Sequence, residues 1–151
     1  MAEARLALLV LCAAAVTACS GPVVHTATYA TMAEARAAGA TDRGWVPSSL
    51  PEGAYELRAA YAVDGRERWG LFNFRPADAD ALRALLQPEP VSFAGTVMRI
   101  PGRVEWWPVI LRGRLDAERI ETTGLRAYPA KSGDLVYAVN WNQGRAYFWS
   151  Q

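Results

Sequence analysis

Between residues 55 and 63 bulky apolar side chains fall at Tyr55, Leu57, Tyr61 and Val63 with small or polar residues between them. That period of two predicts a strand. Asp64-Gly65 follows, a pair favoured in type I′ turns, and residues 67–74 return with Trp69, Leu71, Phe72 and Phe74, so a β-hairpin is expected. A second hairpin closes the chain: Leu135, Tyr137, Val139 and Trp141 alternate into Asn142-Gln143-Gly144, read as a three-residue loop, and residues 145–149 come back. A further strand is predicted over 92–100, ended by Pro101-Gly102.

Three segments change to helical spacing. Thr31-Met32-Ala33-Glu34 has the form of a capping box and Gly39 stops the turn that follows. Pro76 opens a segment with Asp78 and Asp80 in its first turn and Leu82, Leu85 and Leu86 on one stripe. Residues 116–121, between Leu115 and Gly124, suit a third short helix. The expected fold is α+β: an antiparallel sheet built from hairpins, with two or three short helices on one side, after an N-terminal signal helix and a short tether. Residues 31–151 form the single domain of this reading. Its 52% apolar content supports a core and excludes a disordered chain.

The first 18 residues read as an export signal, with an apolar run from Leu6 to Val16 of 11 residues. At about 1.5 Å per residue such a helix spans roughly 17 Å, short of the roughly 30 Å hydrocarbon core. The residues alone also allow an ordinary signal peptide cut near Ala18 or a buried apolar helix. Val16-Thr17-Ala18-Cys19 resembles the lipobox of bacterial lipoproteins, which implies lipid on Cys19, with residues 19–30 as lipidated cysteine and tether. Leu11 before Cys12 is too large for the small site that this processing requires. Ser20 in place of Asp implies, by resemblance to the sorting rule of Gram-negative lipoproteins, the periplasmic face of the outer membrane. Glu34-Ala35-Arg36-Ala37-Ala38-Gly39, Gly44-Trp45-Val46-Pro47 and the closing run from Asn140 to Trp149 look like small bacterial lipoproteins of uncharacterised function. That resemblance implies no reaction and no cofactor.

Charge narrows the partners. The 16 basic and 15 acidic residues are interleaved, which removes the main driving term for nucleic-acid binding. His25 is the one histidine and falls in the expected tether, which speaks against a Ser-His-Asp or Cys-His site and against a His/Cys zinc site. No calcium loop or Gly-rich phosphate loop is present in the sequence. Asp116, Glu118 and Glu121 lie at helix-pair spacings from Arg114 and Arg119, which predicts a salt-bridged solvent face rather than a catalytic carboxylate pair. Neither a catalytic residue, a metal ligand nor a cofactor is assigned.

Aromatic residues supply the remaining lead. Trp106 and Trp107 are adjacent, so on an extended backbone they point to opposite sides. Arg103, Glu105 and Arg112 surround them, with Pro101 and Pro108 at the margins, a composition suited to a binding loop. The candidate binding residues are therefore Arg103, Glu105, Trp106, Trp107 and Arg112, with one Trp expected in the core and the other at the surface. The expected function is non-enzymatic: a lipid-anchored envelope protein held to the membrane through Cys19 and acting by binding or structural contact with an envelope protein or glycan. The alternative is a glycan-binding or hydrolytic protein using a Trp, Arg and carboxylate cleft.

Overall fold

The computed structural model describes residues 23–151; Cys12, Cys19 and the signal segment lie outside the described residues. Eight strands, β1 (Val24–Thr31), β2 (Tyr55–Ala62), β3 (Arg68–Asn73), β4 (Val97–Met98), β5 (Gly113–Arg114), β6 (Leu125–Pro129), β7 (Leu135–Asn140) and β8 (Arg145–Ser150), alternate with helices α1 (Met32–Ala37), α2 (Ala79–Leu85) and α3 (Ala117–Thr122). Six strands make one antiparallel sheet in the order β1-β2-β3-β8-β7-β6, and β4 and β5 pair separately. The fold class is the α+β arrangement that the hairpin pattern predicts.

Helix ends follow local chemistry. The Thr31 hydroxyl accepts from the Glu34 N–H, and the Glu34 carboxylate accepts from the Ala30 N–H at 2.7 Å, which satisfies two donors at the start of α1. At α3 the Asp116 carboxylate accepts from the Arg119 N–H at 3.1 Å. The acids around α3 form no salt-bridged face: among the described residues the ion pairs are Arg36–Glu52, Arg68–Asp134 and Arg83–Asp80. Asp116 acts as a cap instead.

Both faces of the sheet carry a core. On the first, Met32 and Ala35 of α1, the loop residues Val46 and Leu50, and Leu82 of α2 pack on Leu57, Phe72, Tyr137, Val139 and Phe148. On the second, residues 93–120 fold back so that Phe93, Val104, Trp107, Leu111 and Ile120 cover Trp69, Val136, Ala138 and Trp149. Helices α1 and α2 thus share one face, and α3 belongs to the other.

Four local expectations need correction. The segment expected as a tether is strand β1 from Val24 onward, because its β-branched and aromatic residues pair with β2 from Val24↔Ala62 to Thr31↔Tyr55. His25 therefore sits on a strand, its ring stacked 5.6 Å from Tyr61. Strand pairing within 92–100 is confined to Val97–Met98, which pairs with the two-residue β5 at Gly113–Arg114. The β2–β3 turn is not type I′: Gly65 has positive φ and Asp64 does not, and the Gly65 N–H closes the turn on the Ala62 carbonyl. The β7–β8 loop holds four residues, because Asn140 still pairs with Arg145 and Trp141 is already in the turn.

Gly70 marks the tightest point of the first core. A Cβ there would lie 1.9 Å from the Phe148 ring, and Gly70 and Phe148 are direct cross-strand partners. Gly70→Ala is expected to destabilise the domain by about 2 to 3 kcal/mol or more, through overpacking against a ring that is itself buried. Urea unfolding of the variant measures this, and Phe148→Leu combined with Gly70→Ala should recover part of the loss.

Candidate functional site

The segment that covers the second face is shorter than the sheet beneath it. Over the ends of β1, β2, β3 and β8 that it leaves open lies a cleft of about 430 Å³, with Trp106 at its border. Its floor comes from alternate positions of three neighbouring strands: Glu56 and Arg58 on β2, Leu71 and Asn73 on β3, and Arg145 and Tyr147 on β8. Registers Arg58↔Leu71, Leu71↔Tyr147 and Asn73↔Arg145 bring these side chains to one face.

A hydrogen-bonded chain crosses the floor. Arg145 Nε donates to Asn73 Oδ1 at 2.9 Å, and Asn73 Nδ2 donates to Glu56 Oε2. Asn73 is 7% exposed, one of two buried polar side chains among the described residues, and this chain satisfies both ends of its amide. The Arg145 guanidinium and Arg58 stand on strands that flank β3. Arg58 is level with Tyr147, two residues along β8 from Arg145, so a sheet spacing of about 4.8 Å and a rise of about 3.4 Å per residue put the two backbones about 12 Å apart.

Glu56 is held in an unusual conformation. A bulge interrupts the β2–β3 register between Tyr55 and Arg58, and within it Glu56 has φ of +50°, the one non-glycine positive φ among the described residues. Such a backbone costs about 1 to 3 kcal/mol and persists where the surroundings enforce it, frequently at functional sites. Here it re-aims the carboxylate onto Asn73.

The candidate residues read from the sequence separate into distinct roles. Trp107 is 1% exposed, its indole N–H donates to the Leu111 carbonyl at 2.9 Å, and its ring meets Tyr147 and Trp149 edge-on. Trp106 is half-buried, packs on Trp107 at 6.0 Å and faces the cleft. Arg112 does not reach the cleft lining: its guanidinium donates to the Val104 and Trp107 carbonyls and so fixes the loop that carries Trp106. Arg103 and Glu105 are exposed and are not among the residues lining the cleft.

Sequence reasoning missed Glu56, Arg58, Asn73, Arg145 and Tyr147. The one local signal was Asn73, an amide inside the otherwise apolar run Leu71 to Phe74. Polar residues at the other positions match any solvent-facing side of a strand, and only the strand order brings them together.

The residues lining the cleft set cationic groups beside an aromatic surface. Arg58 and Arg145 offer guanidinium groups suited to a carboxylate, and Trp106 offers an indole ring on which a sugar face stacks. Elsewhere on the sheet, Tyr137 lies beneath the first core, where burial pushes its phenol well above the ordinary range and keeps it neutral. Among the described residues no group of three His, Cys, Asp or Glu is placed to hold a metal ion, and no helix is long and apolar enough to cross a membrane.

Residues 24–73 match the family described as the YbbD head domain, a likeness to a bacterial family that spans β1, α1, β2 and β3. The matched third of the chain includes Glu56, Arg58 and Asn73 but not Trp106, Arg145 or Tyr147. No curated protein and no solved structure matches the chain.

Substitution separates the adjacent tryptophans. Trp107→Ala should cost about 3 to 5 kcal/mol, as loss of a buried indole does, whereas Trp106→Ala should change stability by about 1 kcal/mol or less. Thermal and urea unfolding of the two variants checks this, and equal losses in both would make the pair purely structural.

Proposed function

We propose that this domain is a binding module of the bacterial cell envelope, held at the membrane by lipid on Cys19, and that its cleft receives a carboxylate-bearing glycan. The observation that carries the reading is the conjunction of Trp106 with the Arg145–Asn73–Glu56 chain and Arg58 in one cleft. A carboxylated sugar presents both matching elements: an anion for the guanidinium groups and an apolar ring face for the indole.

Binding is favoured over cleavage by the carboxylate inventory. Glycoside hydrolysis commonly places two carboxyl groups across the scissile bond. Glu56 is the one acid among the described residues lining this cleft, and its carboxylate accepts a hydrogen bond from Asn73. Glu105, the acid beside the tryptophans in sequence, does not join it.

The address belongs to the same reading. The lipobox-like Val16-Thr17-Ala18-Cys19 supports acylation of Cys19, and Ser20 supports the periplasmic face of the outer membrane. With β1 starting at Val24, residues 19–23 span at most roughly 16 Å when extended. Under this proposal the sheet stands close to the lipid surface, where envelope glycans are within reach.

Two measurements test it. Titration of the full chain in detergent with soluble peptidoglycan fragments should show binding, monitored by tryptophan fluorescence. Trp106→Ala and Arg145→Gln should each weaken that binding by about 10-fold, equivalent to about 1.4 kcal/mol. Reducing the fragment carboxyl groups should abolish it, and a reduced fragment that binds equally well would overturn the carboxylate reading. Separately, Cys19→Ala should block lipid labelling and leave an unprocessed precursor, while labelling lost only in Cys12→Ala would reassign the anchor.

A further inference from the structure

The first face of the sheet, opposite the cleft, carries a second cavity. It has a volume of about 340 Å³ and opens between the loop that follows α1, the end of α2 and the β6–β7 loop. Its floor is the start of two central strands: Arg68 of β3, with Leu135 and Tyr137 of β7.

Tyr137 is the polar group that the fold itself does not use. The residue is 2% exposed, and no hydrogen bond among the described residues engages its hydroxyl. Every fully buried side-chain N or O atom there does have a partner, so the phenol oxygen is the atom through which Tyr137 meets the cavity. Burial raises the phenol pKa and keeps the proton in place, so the hydroxyl faces the cavity able to donate.

Arg68 braces the walls around it. Its guanidinium donates to the Gly44 carbonyl on one side and to the Asp134 carboxylate at 3.0 Å on the other, tying two loops to the sheet. The Lys131 N–H donates to the Leu85 carbonyl at 2.9 Å and joins the third wall. The Lys131 ammonium has no ion-pair partner among the described residues, and neither Asp nor Glu lines the cavity. Ser48, Ser49 and Ser132 bring hydroxyls, while Val46, Pro47 and Leu85 bring apolar surface.

This set of groups matches an oxyanion that carries an organic body. A planar carboxylate is held best by an Arg fork, and the Arg68 fork is already engaged by Gly44 and Asp134. The remaining donors are a phenol on the floor, an ammonium point charge on one wall and hydroxyls on separate loops. Donors that do not share a plane suit a tetrahedral group, and Lys binds phosphate as a point charge. We propose that this cavity binds a phosphate monoester, with Tyr137 and Lys131 donating to the phosphate and the surface of Val46, Pro47 and Leu85 against the organic part. The volume lies at the small end of ligand pockets. The site is separate from the cleft and does not depend on what the cleft binds.

Calorimetric titration of the full chain in detergent with phenyl phosphate tests this. Binding should be saturable, and benzoate should bind about 10-fold more weakly. Tyr137→Phe removes only the hydroxyl, so it should melt within a few degrees of the parent and bind phenyl phosphate about 5-fold more weakly. Lys131→Gln, on an exposed loop, should keep the melting temperature and weaken binding by about 10-fold. Phosphatidic acid added to the micelles separates two sources of the same group: displacement of phenyl phosphate assigns a lipid headgroup, and none assigns a soluble ester. Arg145→Gln, in the cleft, should leave phenyl phosphate binding unchanged, so this site and the glycan reading fail independently. Absence of saturable binding, benzoate binding as tightly, binding that both Tyr137→Phe and Lys131→Gln leave intact, or binding lost in Arg145→Gln would overturn the proposal.

Discussion

Every one of the six positions of β7 is buried, and β3 is buried at five of its six. A sheet whose central strands are apolar on both sides has to be covered on both sides, and the rest of the molecule follows from that constraint. The helices α1 and α2 and the loop between β2 and α1 cover one face. Residues 93–120, with little regular structure of their own, cover the other through Phe93, Trp107, Leu111 and Ile120. Antiparallel sheets commonly leave one face to solvent; here only part of one face is left open.

That open part is where polar chemistry collects. Beneath the covering segment, the second face carries Trp69, Val136, Ala138 and Trp149; beyond its margin, it carries Glu56, Arg58, Asn73 and Arg145. Trp107 ties the two regions together. It is buried under the segment, and its neighbours Trp106 and Tyr147 both reach the cleft. Arg112 holds the same loop from the other side by capping two of its carbonyls. The wall of the cleft is therefore rigid for the same reason that the core is: one indole and one guanidinium satisfy the backbone of an irregular segment that would otherwise bury unpaired carbonyls.

The strained Glu56 and the satisfied Asn73 have a shared logic. A buried amide is costly unless both its ends are bonded, and the bulge at Glu56 supplies the acceptor while Arg145 supplies the donor. Strain in one residue of β2 thus stabilises a polar group of β3 and orients a cation of β8. The result is a guanidinium held by Asn73 beside the aromatic residues Trp106 and Tyr147.

Local information in the chain was enough to define the two hairpins, the three helices, the capping box of the first and the α+β class, because alternation, capping and turn chemistry act between residues a few positions apart. It also separated the adjacent tryptophans as a pair needing two environments, and it carries the lipobox-like motif at Cys19. It did not show that β1 is a strand, since a run such as Val24 to Thr31 gains its stability only from pairing with β2. Nor did it show which tryptophan is buried, or that Arg112 serves the backbone. The cleft was the least legible part. Glu56, Arg58, Asn73, Arg145 and Tyr147 are up to 91 positions apart in the chain, and each alone is an ordinary strand residue. Only the order β2-β3-β8 and the limited reach of the covering segment place them side by side, because sheet pairing joins residues by register and not by sequence distance.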